Sequence, residues 1–440
     1  MTRWARWSRR LLFGLLGIVA LYAVARVWVG AVASSRLEAE IARIRATGEH
    51  LTLAQAFPSV PEGENAAPLL EAAWAKIEPE GEELFASTFL EDPVTAPEAS
   101  LVAAAAWVDR NGPAFELLSH ALAARPRCRF GPPGHVEDLV FQEIPGLQML
   151  GRLLATRANV ASRRGDPDAA LADAQALVLL GDRIAQTPLL VHRLVGNGVQ
   201  QVGDRAAENA FRLGPPSEAA CRALDRVLAS LGPIRVDRDV ILAERAYGSA
   251  LFDHAGEDRR ARDTMGGGEA EGLPWLCALA PGPALSLDHA RSLRLWTRAL
   301  PLGAGPWSEV GPAWTGLERE ARRETPWYAR YSNSGVWAAA ASCRRLAECE
   351  ARRHLTRLAL RLEMHEASAG GLPARLADLK DALQGGDPLS GAPYVYRTTD
   401  GGKGYLLYSF GRNGKDDGGI EEEIPGASHA DDIAFRRPAR

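Results

Sequence analysis

Lysine is almost missing from this 440-residue chain. Only Lys76, Lys380, Lys403 and Lys415 occur among 51 basic side chains, and 55 acidic ones bring the net charge to −4. No bulk positive field exists to hold a nucleic-acid backbone by counterion release, so nucleic acid is not expected as a partner. Cysteine is scarce as well. Cys128, Cys221, Cys277, Cys343 and Cys349 are too few for the disulfide framework of a small exported domain. Cys343 and Cys349 are six apart on a helical pattern, hence about 9 Å apart along the axis and on different faces, so they cannot bridge each other. No Cys-x-x-Cys pair or Cys/His quartet with zinc spacing occurs, and buried free thiols are the expectation.

Catalytic signatures are missing too. The chain has no Gly-x-Ser-x-Gly elbow, no His-Glu-x-x-His helix, no P-loop and no Gly-x-Gly-x-x-Gly after a strand. His354 and His365 share a helix face but stand some 16 Å apart along it, too far to chelate one metal. These absences favour a non-enzymatic protein. The alternative is an extracytoplasmic hydrolase with a site in the stretch 255–312, assembled from residues distant in sequence.

What the chain does have is 46% apolar and 24% charged residues, enough to bury a core. Leu11 to Ala33 form one apolar run, long enough as a helix to cross roughly 30 Å of hydrocarbon. Its one charge, Arg26, lies near the far end, where a long stem can snorkel. Arg3, Arg6, Arg9 and Arg10 precede the run, and Arg36, Glu38, Glu40, Arg43 and Arg45 follow with mixed sign. The positive-inside rule then gives a cytoplasmic tail (1–10), a single-pass anchor in the cytoplasmic (inner) membrane (11–33) and an extracytoplasmic remainder. Ala31-Val32-Ala33 before Ser34 has the form of a signal-peptidase site, which leaves a cleaved signal peptide as the other reading. Leu37, Ile41 and Ile44 continue the helix in amphipathic form.

The expected fold is mainly α: an N-terminal transmembrane helix, an irregular helical array, and a small antiparallel β module after a long helix. Helical periodicity fills a body at 36–254, with segments over 97–109, 113–123, 145–164, 166–186, 188–213, 217–231 and 236–253. Arg164-Gly165-Asp166 before Ala169, Ala170 and Leu171 resembles the turn of a tetratricopeptide-type hairpin near 150–186, without a second copy 34 residues away. The stretch 255–333 carries Gly266-Gly267-Gly268, Pro281-Gly282-Pro283 and Gly303-Ala304-Gly305-Pro306 and is expected to be a loop-rich connection. A C-terminal region, 334–440, begins with a long helix that Gly370-Gly371 ends.

Behind that helix come Asp387-Pro388-Leu389-Ser390-Gly391, Tyr394-Val395-Tyr396 and Tyr405-Leu406-Leu407-Tyr408 around Asp400-Gly401-Gly402, which reads as a β-hairpin. Ser409-Phe410-Gly411-Arg412-Asn413-Gly414, Asp416-Asp417-Gly418-Gly419 and Asp431-Asp432-Ile433 follow. This order, over about residues 340–436, resembles the globular region of the type II secretion major pseudopilin family. The resemblance implies that the last loop binds calcium through Asn413, Asp416, Asp417, Asp431 and Asp432. Carboxylates and loop carbonyls are the hard oxygens that Ca²⁺ requires. The other reading is an acidic loop held only by its turns. The family's processing motif is absent here, and Ala430 stands where a second alternating carboxylate would fall, so the chain is not expected to be an assembled pseudopilin subunit. A helical body binding an unidentified protein partner, capped by a calcium-stabilised module, is the resulting expectation.

Overall fold

The computed structural model describes residues 3–79, 89, 92–131, 141–257, 281–323, 325–326, 328–329, 331–379, 386–421 and 430–439. It is mainly helical, with one long apolar N-terminal helix and a three-stranded antiparallel sheet near the C-terminus. Its contacts divide into two compact units. One comprises Met1–Ala56, Ile241–Leu302 and Trp314–Ala338, and the other Phe57–Val240, Gly303–Ala313 and Ala339–Arg440.

In the first unit α1 (Arg3–Ala46) is a single helix of 44 residues. Its apolar side chains from Leu11 to Trp28 are exposed, whereas Ala33 and Ile44 are buried. The amphipathic continuation thus begins where the apolar run stops. A short turn, α2 (Leu53–Ala56), follows. α1 packs along α11 (Pro281–Ala299). Arg245, on α10 (Arg238–Glu257), is buried and reaches Glu49 Oε2 at 2.9 Å, the His50 carbonyl at 2.9 Å and Thr297 Oγ1 at 3.3 Å. α12 (Trp307–Arg323) buries Trp314 completely. Asp288 accepts from the Tyr331 and Ser332 amides at 2.7 and 3.2 Å, satisfying donors at the start of α13 (Ser332–Ala369) that no helical carbonyl can reach.

Within the stretch expected to be loop-rich, residues 255–257, 281–304, 307–323 and 332–333 are helical, whereas 305–306, 325–326, 328–329 and 331 are not. Pro281 is the first described residue of α11, and a 3₁₀ turn at Leu300–Ala304 follows the helix before α12. Trp296 and Trp314 are core residues. Trp275 and Gly266-Gly267-Gly268 lie outside the described residues, as does Cys277.

The second unit stacks α3 (Ala67–Trp74), α4 (Glu98–Arg110), α5 (Gly112–Ala124), α6 (Glu143–Arg163), α7 (Pro167–Ala185), α8 (Leu190–Leu213) and α9 (Glu218–Ser230). Gly165, at φ +78°, turns the chain between α6 and α7, and Asp166 caps α7 by accepting from the Ala169 amide at 3.0 Å. α7 and α8 approach so closely that a Cβ on Gly181 would strike the Gly196 carbonyl, and one on Gly196 the Gly181 carbonyl. Asn65 lies just outside α3 and has a second task besides its 3.2 Å bond from the Ala67 amide. Its side chain also exchanges hydrogen bonds with the Arg129 backbone, 64 residues away. Cys128, Cys343 and Cys349 are buried and free, and Cys221 is buried.

The sheet has strand order β1-β2-β3, made of Val395–Thr399, Gly404–Ser409 and Ile433–Arg437, antiparallel throughout. Asp400, Gly401 and Gly402 all take positive φ in the hairpin turn. Leu407 and Phe435 are fully buried, and Phe435 packs on Phe211 of α8 at 5.8 Å.

Candidate functional site

The acidic loop after β2 is shaped by glycines. Gly411, Gly414, Gly418 and Gly419 all adopt left-handed φ, between +62° and +82°. Gly411 is doubly constrained, since a Cβ there would collide with the Asp431 carbonyl. This close approach brings the two ends of the loop together.

Four of the five residues implicated by the resemblance meet there. Asp417 Oδ2 accepts from Asn413 Nδ2 at 2.8 Å and from the Asp431 amide at 3.3 Å. The Asp431 carboxylate accepts from the Asn413 amide at 3.2 Å. Asp432 is 2% exposed, its Oδ2 accepts from the Asp417 and Gly419 amides at 3.1 and 2.7 Å, and its Oδ1 is buried with no hydrogen-bond partner. Asp416 is engaged elsewhere. It accepts from the Tyr408 hydroxyl and the Gly418 amide, both at 2.9 Å, and faces Arg397 at 3.5 Å.

The charges respond to these surroundings. Asp432 is held above the usual carboxylate range by burial and by the neighbouring Asp417 and Asp416, against the pull of two amides. Burial, with a smaller contribution from Asp417, raises Asp431 likewise. Asp416, given the Gly418 amide and the Tyr408 hydroxyl, is lowered. As donors the four gathered side chains suit a hard cation, and Asp432 Oδ1 is a buried oxygen without a counterpart. Among the described residues, however, no three His, Cys, Asp or Glu side chains converge closely enough to hold a metal ion. Backbone amides occupy much of the carboxylates' capacity instead. Glu422 and Glu423 lie outside the described residues.

The Asp-Pro-x-x-Gly segment is a closed turn. Buried Asp387 accepts from the Leu389 amide at 3.2 Å and the Ser390 hydroxyl at 2.6 Å, and Gly391 takes φ +73°. Tyr396 donates to the Pro373 carbonyl at 2.9 Å, tying β1 to the Gly-Leu-Pro turn behind the long helix.

Nothing in the sequence pattern announced the ionic clamp that fixes this module to α13. Arg352 donates to the Ala434 carbonyl at 2.8 Å and to Glu421 at 2.5 Å, and Glu421 accepts from the Ala434 amide at 3.1 Å. Arg412 pairs with buried Glu348. Arg437, 2% exposed, meets Glu363 at 3.2 Å and Glu366 at 2.9 Å. His354 contacts the Tyr394 hydroxyl at 3.0 Å and Glu350 at 3.2 Å. Glu350 is pulled down to about 2 by the His354 contact and by Arg353, which outweigh its burial.

The chain matches no protein-family model, no curated protein and no solved structure.

Proposed function

We propose that this chain is a single-pass membrane protein, anchored through residues 11–33 with its N-terminus in the cytoplasm, whose extracytoplasmic helical body binds a protein partner. In this reading its C-terminal region is a pseudopilin-like docking module stabilised by Ca²⁺ through Asn413, Asp417, Asp431 and Asp432. The anchor is supported by α1, which is long and apolar enough to cross a membrane and keeps its apolar stretch unburied. The calcium reading is carried by Asp432: a carboxylate is held 2% exposed beside two others with one oxygen unpartnered. A divalent cation would relieve that desolvation and repulsion.

The test is thermal melting of the full chain in detergent, with millimolar calcium or with chelator. Binding to the folded state alone adds about 2.7 kcal/mol at a hundredfold excess over Kd. The midpoint is expected to rise with calcium in the wild type and not in Asp417→Ala/Asp432→Ala. An identical wild-type midpoint in both buffers refutes the calcium reading and leaves a loop held by its own amides. A second reading, an extracytoplasmic hydrolase, is favoured by one contact made from the 255–312 stretch, that of His289 with Ser249.

A further inference from the structure

Ser249 and Asp253 lie one turn apart on α10 and face the same side chain on α11. Ser249 Oγ is 2.9 Å from His289 Nε2, and Asp253 Oδ1 is 4.0 Å from His289 Nδ1. The imidazole therefore has a hydroxyl at one nitrogen and a carboxylate at the other, the order in which a serine nucleophile, its base and an orienting acid are arranged. We propose that Ser249 is a nucleophile activated by His289 and positioned through Asp253, and that it cleaves carboxylic esters at the membrane surface. This site belongs to the unit that contains α1 and stands or falls independently of the calcium reading.

Three features suit the arrangement to that chemistry. His289 is 4% exposed and lies parallel to the Phe252 ring, 4.8 Å away at 4°, which fixes the plane of the imidazole. Burial pushes its pKa down to about 4, so near neutral pH it is uncharged, and the imidazolium formed when it takes the serine proton needs Asp253 to stabilise it. With the proton on Nδ1 facing Asp253, Nε2 is the acceptor for the serine hydroxyl. Ser249 itself is only half-buried, and the Asp253 side chain is 73% exposed, which leaves the nucleophile reachable.

The reaction balances with water as the only co-reactant. Ser249 Oγ bonds to the ester carbonyl carbon while its proton passes to His289 Nε2. The adduct collapses by breaking the bond to the alcohol oxygen, which takes that proton and leaves. Water then attacks the acyl-serine, giving its proton to His289, and the carboxylic acid departs as Ser249 Oγ recovers the proton.

The surface location follows from helix packing, and in this it rests on α1 spanning a bilayer. α1 and α11 run side by side in the same direction: a Cβ on Gly30 would meet Pro283 at 3.8 Å, and Glu40 faces Arg294 at 3.7 Å. His289 is six residues beyond Pro283, about 9 Å along the axis. The exposed apolar run ends at Trp28, about 3 Å before Gly30, and the last anchor residue, Ala33, stands about 4.5 Å short of the level of His289. The site therefore stands at headgroup depth, where an ester can come from a lipid or from solution.

The experiment treats the full chain in detergent with an alkyl fluorophosphonate and maps the modified peptide by mass spectrometry. Label is expected on Ser249, absent in Ser249→Ala and at least about 100-fold slower in His289→Gln, the scale of general-base assistance. Should His289→Gln fail to fold, Asp253→Asn changes only an exposed side chain. It is expected to slow labelling about tenfold, with Asp253→Glu restoring the rate. An unmodified Ser249 in the folded wild type overturns the nucleophile, as does labelling at an unchanged rate in both His289→Gln and Asp253→Asn. Substrate arms use p-nitrophenyl butyrate in solution and phosphatidylglycerol vesicles. Hydrolysis of the vesicle lipid that Ser249→Ala abolishes supports the surface ester. Hydrolysis of the soluble ester alone overturns the surface location, and hydrolysis of neither overturns the ester class.

Discussion

Arg437 lies across the ring of Tyr405, its guanidinium carbon 4.9 Å from the ring centroid. Both side chains address one carboxylate, Glu363, from the Tyr405 hydroxyl at 3.1 Å and from Arg437 Nε at 3.2 Å. Strand β3 is thereby fastened to α13 by a nearly dry ion pair.

Because the pair is buried, removing one member leaves the other charge stranded. Arg437→Met is expected to cost about 3–5 kcal/mol, and pairing it with Glu363→Leu to recover part of that loss. Urea denaturation of the purified chain in detergent measures both. A loss below about 1 kcal/mol in the single variant would show that solvent reaches Glu363 and that the clamp is a surface feature.

Asp204 predicts a pH dependence. Burial raises its carboxyl to about 6, against a partial counterweight from Thr356, Arg352 and Arg353. The folded state thus binds a proton more tightly than the unfolded state does, so this group's contribution falls as pH rises from about 4 to 6 and is lost above that. At about 1.4 kcal/mol per unit the span is on the order of 3 kcal/mol. The stability difference between wild type and Asp204→Asn, measured at pH 4, 5, 6 and 7, is expected to shift by that order in favour of the variant. A flat difference contradicts it.

Two glycines on α8 should respond oppositely to alanine. A Cβ on Gly196 meets backbone, including the Ala185 amide at 2.7 Å, while one on Gly198 meets nothing within 4 Å. Gly196→Ala is expected to destabilise by about 1–3 kcal/mol or more through overpacking. Gly198→Ala gains roughly 0.5–1 kcal/mol of helix propensity. Thermal melts of the two variants provide the check, and equal effects would contradict the close α7–α8 approach.

The topology predicts that protease added to spheroplasts digests everything beyond the anchor, given the apolar run of α1 and the arginines that precede it. An intact chain in the presence of active protease contradicts export. A soluble product beginning at Ser34 identifies the run as a cleaved signal peptide.

Local grammar made the helices, the hairpin and the C-terminal sheet legible. Periodicity put Ala340, Cys343, Leu346, Leu355 and Leu358 on an inner helix face, and all are buried. The glycines around Asp400 announced positive φ, which the turn adopts. That Asn413, Asp417, Asp431 and Asp432 come together was suggested by the resemblance and not by any spacing rule. The separate place of Asp416 was not suggested, because its partner Tyr408 lies on a strand whose inward and outward faces only the finished sheet defines. The clamp residues were invisible: Arg352 meets Glu421 across 69 positions and Arg412 meets Glu348 across 64. No spacing rule reaches that far. Ser249 and His289 lie 40 positions apart on two different helices, and only the packing of α10 on α11 brings them together.

The three free, buried thiols have a consequence for the timing of folding. Burial pushes Cys128, Cys343 and Cys349 up to about 12, so in the folded molecule these three carry almost no thiolate to attack an oxidant or a disulfide. These three sulfurs are redox-silent in the native state but not in the unfolded chain, where each has its ordinary acidity. In an oxidising compartment, core formation is therefore in a race with thiol oxidation, and a wrong cross-link made early blocks the cavity its sulfur must fill. Folding yield should depend on the redox buffer during refolding, while Cys128, Cys343 and Cys349 in the folded protein ignore the same buffer.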